Sequence, residues 1–235
     1  MSKIAIMQPY LFPYIGYFQL INAVDEFVIY DNIQYTKKGW INRNRILVNG
    51  TDAYLTLPLK KDSDYLNIVE RHLSDEWRSE RKKILTRITE SYKKAPYFSS
   101  VFPLVEKIIR FEETNLFYFI FNSIKELNDH LEIKTPIIIS SKITINKDLK
   151  AEKKVIALCK ERNAKTYINP IGGIELYNRE EFKEQGLSLQ FLKANNILYP
   201  QFKNEFVPFL SIIDVLMFNS KEEVQDHLKR SYSLI

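Results

Sequence analysis

The sequence contains few of the residues on which common catalytic sites are built. Its 235 residues include one cysteine, three histidines and six glycines. A single cysteine excludes an internal disulfide. His72, His130 and His227 are far apart, none has another histidine three or four positions away, and there is no C-x-x-C pair. We therefore expect no zinc site and no other metal site.

The shortage of glycine also excludes the familiar phosphate-binding loops. The chain has neither a G-x-x-x-x-G-K-[ST] loop nor a G-x-G-x-x-G fingerprint. A G-x-S-x-G nucleophile turn is absent too, and Ser211 followed by Asp214 is more simply the capped start of a helix. Cys159 lies in an amphipathic helical pattern, so we interpret it as a buried, inert thiol.

The chain has no long hydrophobic run. Its longest apolar stretch, residues 116–124, is interrupted by two polar residues and is shorter than the about 20 residues that cross a membrane. The N-terminus lacks the basic region and apolar core of a signal peptide. We expect a cytoplasmic protein without membrane insertion. A net charge of +5, spread along the chain, suits an anionic small molecule as well as it suits RNA.

Residues 3–45 predict the unit around which the rest of the chain is arranged. Residues 3–7 form an apolar run that Pro9 ends, residues 16–24 carry the apolar face of a helix, and residues 27–30 form a second apolar run. Strand, aromatic turn, helix and strand suit a right-handed βαβ crossover in a parallel sheet. Ligands of such sheets bind beyond the carboxyl ends of the strands, where two polar loops follow here.

A β-hairpin and a group of helices are predicted next. Asn49-Gly50 separates two strand-like runs at residues 45–48 and 53–59, which indicates a hairpin projecting from the sheet. Ser74 is positioned to cap the first helix that follows. Helices are predicted at about 74–94, 99–111 and 115–131, so that residues 75–131 form a helical insertion.

Strands and helices alternate again after residue 136. Strands are predicted at residues 136–140, 166–169 and 187–192, and helices at residues 149–163, 180–185, 211–218 and 221–229. This alternation is typical of α/β proteins. We predict one α/β domain over residues 1–235, with a mainly parallel, Rossmann-like sheet, the projecting hairpin and the helical insertion.

The turn between the first strand and the first helix is a candidate binding site. Gly16 permits close approach of a ligand, and a helix N-terminus attracts anions. Tyr14-Ile15-Gly16-Tyr17 resembles the His-x-Gly-His element of class I nucleotidyl-transferring enzymes. Tyrosine stands at both histidine positions, where it can donate a hydrogen bond but carries no charge at pH 7. Simple packing of the aromatic side chains within the loop is the alternative.

The stretch from Trp40 to Arg45 is a second candidate. On a strand, Asn42 and Asn44 share one face and Arg43 and Arg45 the other. A guanidinium can pair with a phosphate through two hydrogen bonds, and asparagine can meet sugar hydroxyls or a base edge. We expect Arg43 to be the main phosphate anchor. A solvated hairpin arm is the alternative.

Asp31 and Gln34 follow the second strand, beside this basic loop. Asp31 could orient Arg43, hold a metal together with a nucleotide, or act as a general base toward an amine. Polar or glycine-rich loops also follow later strands, and a glycine pair leaves backbone donors free to face a ligand. These later candidates are Gly172, Gly173, Tyr177, Tyr199 and Gln201, for which plain turns are the alternative.

The candidate residues are predicted to meet in one place. We expect a single cleft at the carboxyl ends of the strands, with Tyr199 or Gln201 on its rim. The residues expected to converge there are Tyr14, Tyr17, Asp31, Gln34, Trp40, Asn42 and Arg43.

The chain resembles the WbqC-like protein family over nearly its full length. The resemblance rests on the stretches QPYLFPYIGYF, AVDEFVIYDNIQYTKKGWINRNRI, LTLPL, YPQF and FLSIIDVLMFN. The sequence departs from the family's pattern at Tyr14, where tryptophan is frequent, and at Ser220, where glycine is frequent. The matching positions are Gln8, Pro9, Pro13, Gly16, Tyr17, Asp25, Asp31, Gln34, Trp40, Asn42, Arg43, Asn44, Pro200, Gln201, Ser211 and Asp214.

The resemblance implies a role in bacterial O-antigen and other surface-polysaccharide biosynthesis. It implies an acyl or aminoacyl transferase, or an ATP-dependent amide ligase, that attaches glycine or another acyl group to a nucleotide-linked amino sugar. Asp31 would take the proton of the attacking amine with Tyr17 and Gln34 beside it, while Gln8, Arg43 and Arg45 would contact the substrate.

Several points stay open at this level. The acyl donor is glycine with ATP and Mg²⁺, an acyl carrier or a charged tRNA, so the cofactor is unknown. The oligomeric state is also unknown. An RNA- or nucleotide-binding module and a non-catalytic scaffold for polysaccharide assembly are the rival functions. Against stable nucleic-acid binding, the acidic residues nearly balance the basic ones.

Overall fold

A computed structural model describes residues 2–235. The strands are Lys3–Met7 (β1), Glu26–Ile29 (β2), Arg43–Val48 (β3), Thr51–Thr56 (β4), Ile137–Ile139 (β5), Thr166–Pro170 (β6), Ser188–Ala194 (β7) and Tyr232–Leu234 (β8). The helices are Ile15–Asn22 (α1), Trp77–Tyr92 (α2), Phe98–Ile109 (α3), Leu116–Leu131 (α4), Ala151–Glu161 (α5), Arg179–Glu184 (α6), Ile212–Phe218 (α7) and Lys221–Arg230 (α8).

Six of the strands form one sheet in the order β5-β2-β1-β6-β7-β8. The first five are parallel, and β8 runs antiparallel to β7. Counted among the strands of this sheet alone, the order is 3-2-1-4-5-6, that of doubly wound nucleotide-binding sheets. The predicted mainly parallel, Rossmann-like sheet is confirmed. The chain leaves β1 toward β2 on one side and returns to the other side of β1 at β6. A crevice therefore opens at the carboxyl ends of β1 and β6.

The two faces of the sheet are covered by different helices. Successive side chains of a strand point to opposite faces, so Ile4 and Ile6 share one face and Ala5 occupies the other. Ile4 and Ile6 pack with residues of α5 and α6, among them Phe182. Ala5 packs in the larger core with Phe18 of α1 and with the helices of the insertion. The sheet is therefore buried on both sides, as a parallel sheet requires.

Cys159 of α5 lies in the smaller of these cores. Its side chain is fully buried, and burial raises the pKa of the thiol to about 12. The thiol therefore stays protonated at neutral pH. The interpretation of an inert, buried cysteine is confirmed.

The predicted hairpin is a separate two-stranded sheet of β3 and β4. Arg43 pairs with Thr56 and Val48 with Thr51, across a turn in which Asn49 and Gly50 both have positive φ. Both strands begin two residues earlier than predicted, β3 ends at the predicted residue, and β4 ends three residues earlier. Helices α2, α3 and α4 follow before the chain returns to the main sheet at β5, as expected for the insertion. That residues 1–235 form one domain stays a prediction.

One local prediction was wrong, and two short elements were not predicted. Ser74 does not cap α2: the helix begins at Trp77, its N-cap residue is Glu76, and the Trp77 N–H donates to the backbone carbonyl of Ser74. Residues 68–70 form a 3-10 turn held by the capping pair Asn67 and Glu70. Strand β8 is the second element without a prediction. It forms because its backbone pairs with β7, where Leu234 lies opposite Leu192.

Among residues 2–235, the structure contains no helix of the length and apolar character needed to cross a bilayer.

One buried tyrosine, at the end of α2, connects the hairpin and α7 through hydrogen bonds. Tyr92 at the end of α2 is fully buried. Its hydroxyl accepts a hydrogen bond of 2.8 Å from the Leu47 N–H in β3 and donates one of 3.0 Å to Asp214 in α7. The same oxygen thus joins the insertion, the hairpin and the C-terminal helices.

Replacing Tyr92 by phenylalanine is expected to lower the free energy of unfolding by about 1–3 kcal/mol, because a backbone N–H and a carboxylate oxygen lose their buried partner. Urea denaturation measures the change. Tyr118→Phe is the matched control, since Tyr118 lies on α4 with 45% of its surface exposed, and we expect almost no effect there. Equal destabilisation by the two variants would show that the hydroxyl of Tyr92 does not fasten the hairpin.

Candidate functional site

A cleft of about 300 Å³ opens where the strand order reverses. Its floor is formed at the carboxyl ends of three neighbouring strands, by Met7 of β1, Pro170 of β6, and Leu192 and Ala194 of β7. This is the place at which doubly wound sheets bind their ligands. The sheet topology therefore positions the cleft without help from any glycine-rich loop.

Five aromatic side chains line the cleft. Tyr10 and Tyr14 come from the turn between β1 and α1, Tyr17 from the start of α1, Trp40 from the segment before β3, and Phe209 from the segment before α7. Tyr17 is buried, and its hydroxyl donates to the carbonyl of Gln8 over 2.9 Å. Tyr14 meets Phe209 edge to face, with 5.6 Å between ring centroids. Such walls offer stacking faces to a planar ring.

The hydroxyls of Tyr10 and Tyr14 are hydrogen-bond donors at neutral pH. Burial raises the pKa of both phenols. Neither can therefore act as a base toward an amine at pH 7. Both can donate to an anionic or carbonyl oxygen of a ligand.

Helix α1 begins at the wall of the cleft. Its first residues include Gly16, which lines the cleft, and its N-cap residue is Tyr14. A Cβ atom added to Gly16 would lie 3.3 Å from the Cβ of Ala194 in β7, so glycine here allows α1 to pack closely on the sheet. Within the described residues, no side chain caps this helix end. Its partial positive charge favours an anion in the cleft.

Arg45 is the charged residue of the lining. Its guanidinium carbon lies 5.8 Å from the centre of the Trp40 ring. Nη1 contacts Asp52 at 3.2 Å and Nη2 donates to the carbonyl of Phe209 at 3.2 Å. The lining includes no aspartate or glutamate. The cleft thus combines aromatic faces with one guanidinium and one helix N-terminus, a combination that suits an anion bearing a ring.

Asn44 lines the cleft but is committed to backbone partners. Its Nδ2 donates to the carbonyls of Leu11 and Phe12 at 3.0 and 2.9 Å, and its Oδ1 accepts from the N–H of Arg45 at 2.8 Å. Phe12 has a positive φ of 41°, which a non-glycine residue rarely adopts. Asn44 therefore stabilises the conformation of the aromatic turn. Since its Nδ2 and Oδ1 already have backbone partners, the side chain is not free for the predicted contact with a sugar.

The structure places Arg43 and Asn42 outside this cleft. Arg43 donates to the carbonyls of Gly39 and Lys38 at 3.2 and 2.6 Å and lies over the ring of Tyr54. Asn42 is buried, and its amide joins the hydroxyl of Tyr35 to the carbonyl of Leu57. The expectation that both line the cleft needs correction. Arg43 and Arg45 lie on the same face of β3, and it is the position along the strand that brings Arg45, rather than Arg43, to the cleft.

Asp31 belongs to a second polar cluster at the ends of β2 and β5. Its carboxylate accepts hydrogen bonds of 2.8 Å from the Ser140 hydroxyl and 2.9 Å from the Ser141 N–H. The ammonium group of Lys154 lies nearby, 3.1 Å from the side-chain oxygen of Asn32. Burial lowers the pKa of Lys154, and the charge of Asp31 raises it. Asp31 is 3% exposed and does not line the cleft, so the predicted single site is divided in two.

The remaining candidates also lie outside the cleft lining. Gln34 is exposed, and its amide donates to the backbone carbonyl of Asp64. Tyr177 packs against Tyr167 on the other face of the sheet. Gly173 is buried, whereas Gly172 is exposed. None of the four is brought to the aromatic wall, although Ile171, directly before the glycine pair, lines it.

Tyr199 and Gln201 converge on a buried carboxylate. The hydroxyl of Tyr199 and the amide of Gln201 donate to Oδ2 of Asp214 at 2.8 and 2.7 Å. Burial raises the pKa of Asp214, while the hydrogen bonds from Tyr199, Gln201 and Tyr92 act in the opposite direction. Tyr199 and Gln201 thus face the interior of the protein rather than the rim of the cleft.

Sequence reasoning missed several cleft residues. Neither Tyr10, which lies in the aromatic turn, nor Phe209 is among the predicted site residues. Met7 and Leu192 could have been found, because each lies at the end of a strand on the side where parallel sheets bind ligands. No local pattern identifies Phe209, which reaches the cleft across more than 160 residues of chain.

Comparison with known proteins identifies the family of this chain. A model of the WbqC-like protein family matches residues 8–226. The chain is similar to the uncharacterized protein Rv1507c of Mycobacterium tuberculosis, with 29% identity over 233 residues that cover 97% of this chain and 98% of that protein. No solved structure matches the chain.

The glycine pair beside the cleft allows a test of backbone packing. A Cβ atom on Gly173 would lie 2.0 Å from Nδ2 of Asn169, a buried side chain that accepts a hydrogen bond from Tyr167. Gly173→Ala is therefore expected to cost about 1–3 kcal/mol in the free energy of unfolding, because Asn169 must leave its partners.

Gly172→Ala is the matched control, since nothing lies within 4 Å of a Cβ atom there. Thermal melts of both variants measure the difference. If the two alanine variants have the same melting temperature, the close contact between Gly173 and Asn169 does not constrain this loop.

Proposed function

Since the chain belongs to the WbqC-like protein family, we propose that its cleft binds a nucleotide-linked amino sugar, to whose amine glycine or another acyl group is attached. The product is an amide, and the pathway is the biosynthesis of bacterial O-antigen or another surface polysaccharide. One observation carries the proposal: the cleft lies at the point where the strand order reverses and joins aromatic walls to a helix N-terminus and Arg45.

Each part of such a ligand has a suitable counterpart in the cleft. A nucleobase can stack on the aromatic wall, where Tyr14 and Trp40 present ring faces and edges. The diphosphate can be met by the first N–H groups of α1 and by the guanidinium of Arg45. The amino sugar then extends toward the mouth, where Trp40 and Phe209 are 38% and 53% exposed.

The same residues do not fit a bound magnesium ion. Mg²⁺ is usually held by one or two carboxylates in addition to substrate phosphates, and the cleft lining includes neither aspartate nor glutamate. The positive charge opposite the phosphates is therefore assigned to Arg45 and to α1.

Amide formation sets a simple requirement on protons. The neutral amine attacks the acyl carbonyl carbon, the new C–N bond forms, and the bond from that carbon to its leaving group breaks. The amine proton passes to the leaving group or to water. Tyr10 and Tyr14 can donate a hydrogen bond to the carbonyl oxygen as it gains negative charge. A general-base role for Asp31 stays a prediction, and its carboxylate would have to leave Ser140 and Ser141 to fill it.

Arg45 is the residue whose removal tests the binding half of the proposal. Arg45→Met is expected to weaken the binding of UDP-glucosamine by roughly 10- to 100-fold, since a charge-assisted contact worth about 1.5–3 kcal/mol is lost. Isothermal titration measures the affinity. Arg162→Met is the control, because Arg162 forms a two-bond ion pair with Glu26 at the amino end of β2, away from the carboxyl ends at which the cleft opens.

Two results would count against nucleotide-sugar binding in the cleft. One is a wild-type protein that binds neither UDP-glucosamine nor UDP. The other is an affinity that falls as much in Arg162→Met as in Arg45→Met, which would place the diphosphate elsewhere.

The transfer half is tested separately by mass spectrometry. The protein is incubated with UDP-glucosamine and, in parallel reactions, with glycine and ATP, a glycyl thioester or glycyl-tRNA. The proposal expects a glycyl amide of the sugar in one of them. Binding without product in all three reactions would leave the ligand assignment in place and reject transfer of glycine.

A further inference from the structure

The segment that carries Phe209 into the cleft is held in an unfavourable backbone conformation. Phe209 has a φ of 57°, in the left-handed region that side chains other than glycine rarely adopt. It has no regular secondary structure on either side, and more than half of its surface is exposed. Its ring meets the edge of Tyr14, and its carbonyl accepts from the guanidinium of Arg45. On its C-terminal side, the N–H of Ser211 donates to the carbonyl of Arg45 over 2.8 Å. The N-terminal side of the segment needs an anchor of its own.

A glutamine side chain anchors the N-terminal side of this segment. The Oε1 of Gln201 accepts from the N–H of Val207 at 2.7 Å, and its Nε2 donates to the carbonyl of Val207 at 3.1 Å. The side-chain amide thus pairs with the backbone N–H and C=O of Val207, as a residue of a neighbouring strand would. Val207 lies two residues before Phe209, and Gln201 is 1% exposed. This pairing closes residues 201–207 into a loop at the side of the cleft.

Asp214 decides which way the amide of Gln201 points. The Nε2 atom of Gln201 also donates to Oδ2 of Asp214 at 2.7 Å. A carboxylate accepts hydrogen bonds and cannot donate them, so only the nitrogen of the amide can face it. This leaves Oε1 to accept from Val207. Asp214 is fully buried in α7 and does not line the cleft.

We infer that Asp214 is a positioning residue for the mouth of the cleft, acting through Gln201 on the segment 206–209. The chain of contacts runs from Asp214 to Gln201, from there to Val207, and along the backbone to Phe209 and its carbonyl partner Arg45. Asp214 thereby sets the position of one aromatic wall and of the guanidinium assigned to the phosphates. Asp214 itself does not line the cleft.

A purely stabilising role makes a different prediction from a positioning role. Tyr199 also donates to Oδ2 of Asp214, at 2.8 Å, but makes no hydrogen bond to Val207. Tyr199→Phe therefore removes a hydrogen bond of the same carboxylate and keeps the ring contact with Phe206. If Asp214 acted only on stability, any effect of this variant and of Asp214→Asn on the cleft would follow the loss of unfolding free energy in each, with no special effect on the segment 206–209.

Hydrogen exchange followed by mass spectrometry separates the two roles without any ligand. In Asp214→Asn, amides of residues 202–210 are expected to exchange roughly tenfold faster relative to those of β1 and β6, the factor that one hydrogen bond to a charged group represents. In Tyr199→Phe the ratio should stay at the wild-type value. Gln201→Met, which keeps the size of the side chain, should reproduce Asp214→Asn and serves if that variant fails to fold.

Titration with UDP-glucosamine adds a functional measurement that depends on the proposed function. Asp214→Asn and Gln201→Met should bind UDP-glucosamine at least several-fold more weakly than Tyr199→Phe does. The comparison requires that the melting temperatures of the variants are equal. Unchanged exchange at residues 202–210 in a folded Asp214→Asn, or in Gln201→Met if Asp214→Asn does not fold, would overturn the inference. If the wild type binds no UDP-glucosamine, the proposed ligand is wrong, and the exchange experiment alone decides the role of Asp214.

Discussion

The pairing of β1 with both β2 and β6 is the constraint on which the rest of the molecule depends. The chain leaves β1 through α1 toward β2, and it returns on the opposite side of β1 only after the hairpin, the insertion and α5. Right-handed crossovers to opposite sides of one strand place their helices on opposite faces of the sheet. The loops at the carboxyl ends of β1 and β6 then diverge, and the cleft is the space between them.

Buried amide side chains hold the walls of this cleft in place. Asn44 binds the aromatic turn, Asn42 joins the loop before β3 to the segment after β4, and Gln201 pairs with Val207. Each supplies donors and acceptors to backbone groups that lie outside regular strands and helices. A buried backbone group without a partner costs free energy, so a loop-rich wall needs such substitutes. This chain uses asparagine and glutamine where phosphate-binding proteins with glycine-rich loops use the backbone itself.

Few groups supply the positive charge of the cleft. One guanidinium, held between Asp52 and the carbonyl of Phe209, and one helix end supply the positive potential. The phenols of Tyr10 and Tyr14 stay neutral because burial raises their pKa. Binding of an anion would therefore vary little between pH 6 and 8, unlike binding to a site built on histidines, whose charge changes in that range.

Most elements and their order follow from local patterns in the sequence, because short apolar runs, helical periodicity and turn residues act over a few positions. These patterns were enough to predict β1, α1, β2, the hairpin at Asn49-Gly50, the helices of the insertion and the parallel sheet, and they pointed to the turn at Gly16, which lines the cleft. Which candidate residues reach the cleft depends on the tertiary structure. Arg45 lines it and Arg43 does not, although both lie on one face of β3. Asp31 joins a separate cluster with Ser140, and Phe209 enters from the distant C-terminal segment. These outcomes depend on contacts between residues that are far apart in the chain and on how far along its strand each side chain lies, and a local pattern fixes neither.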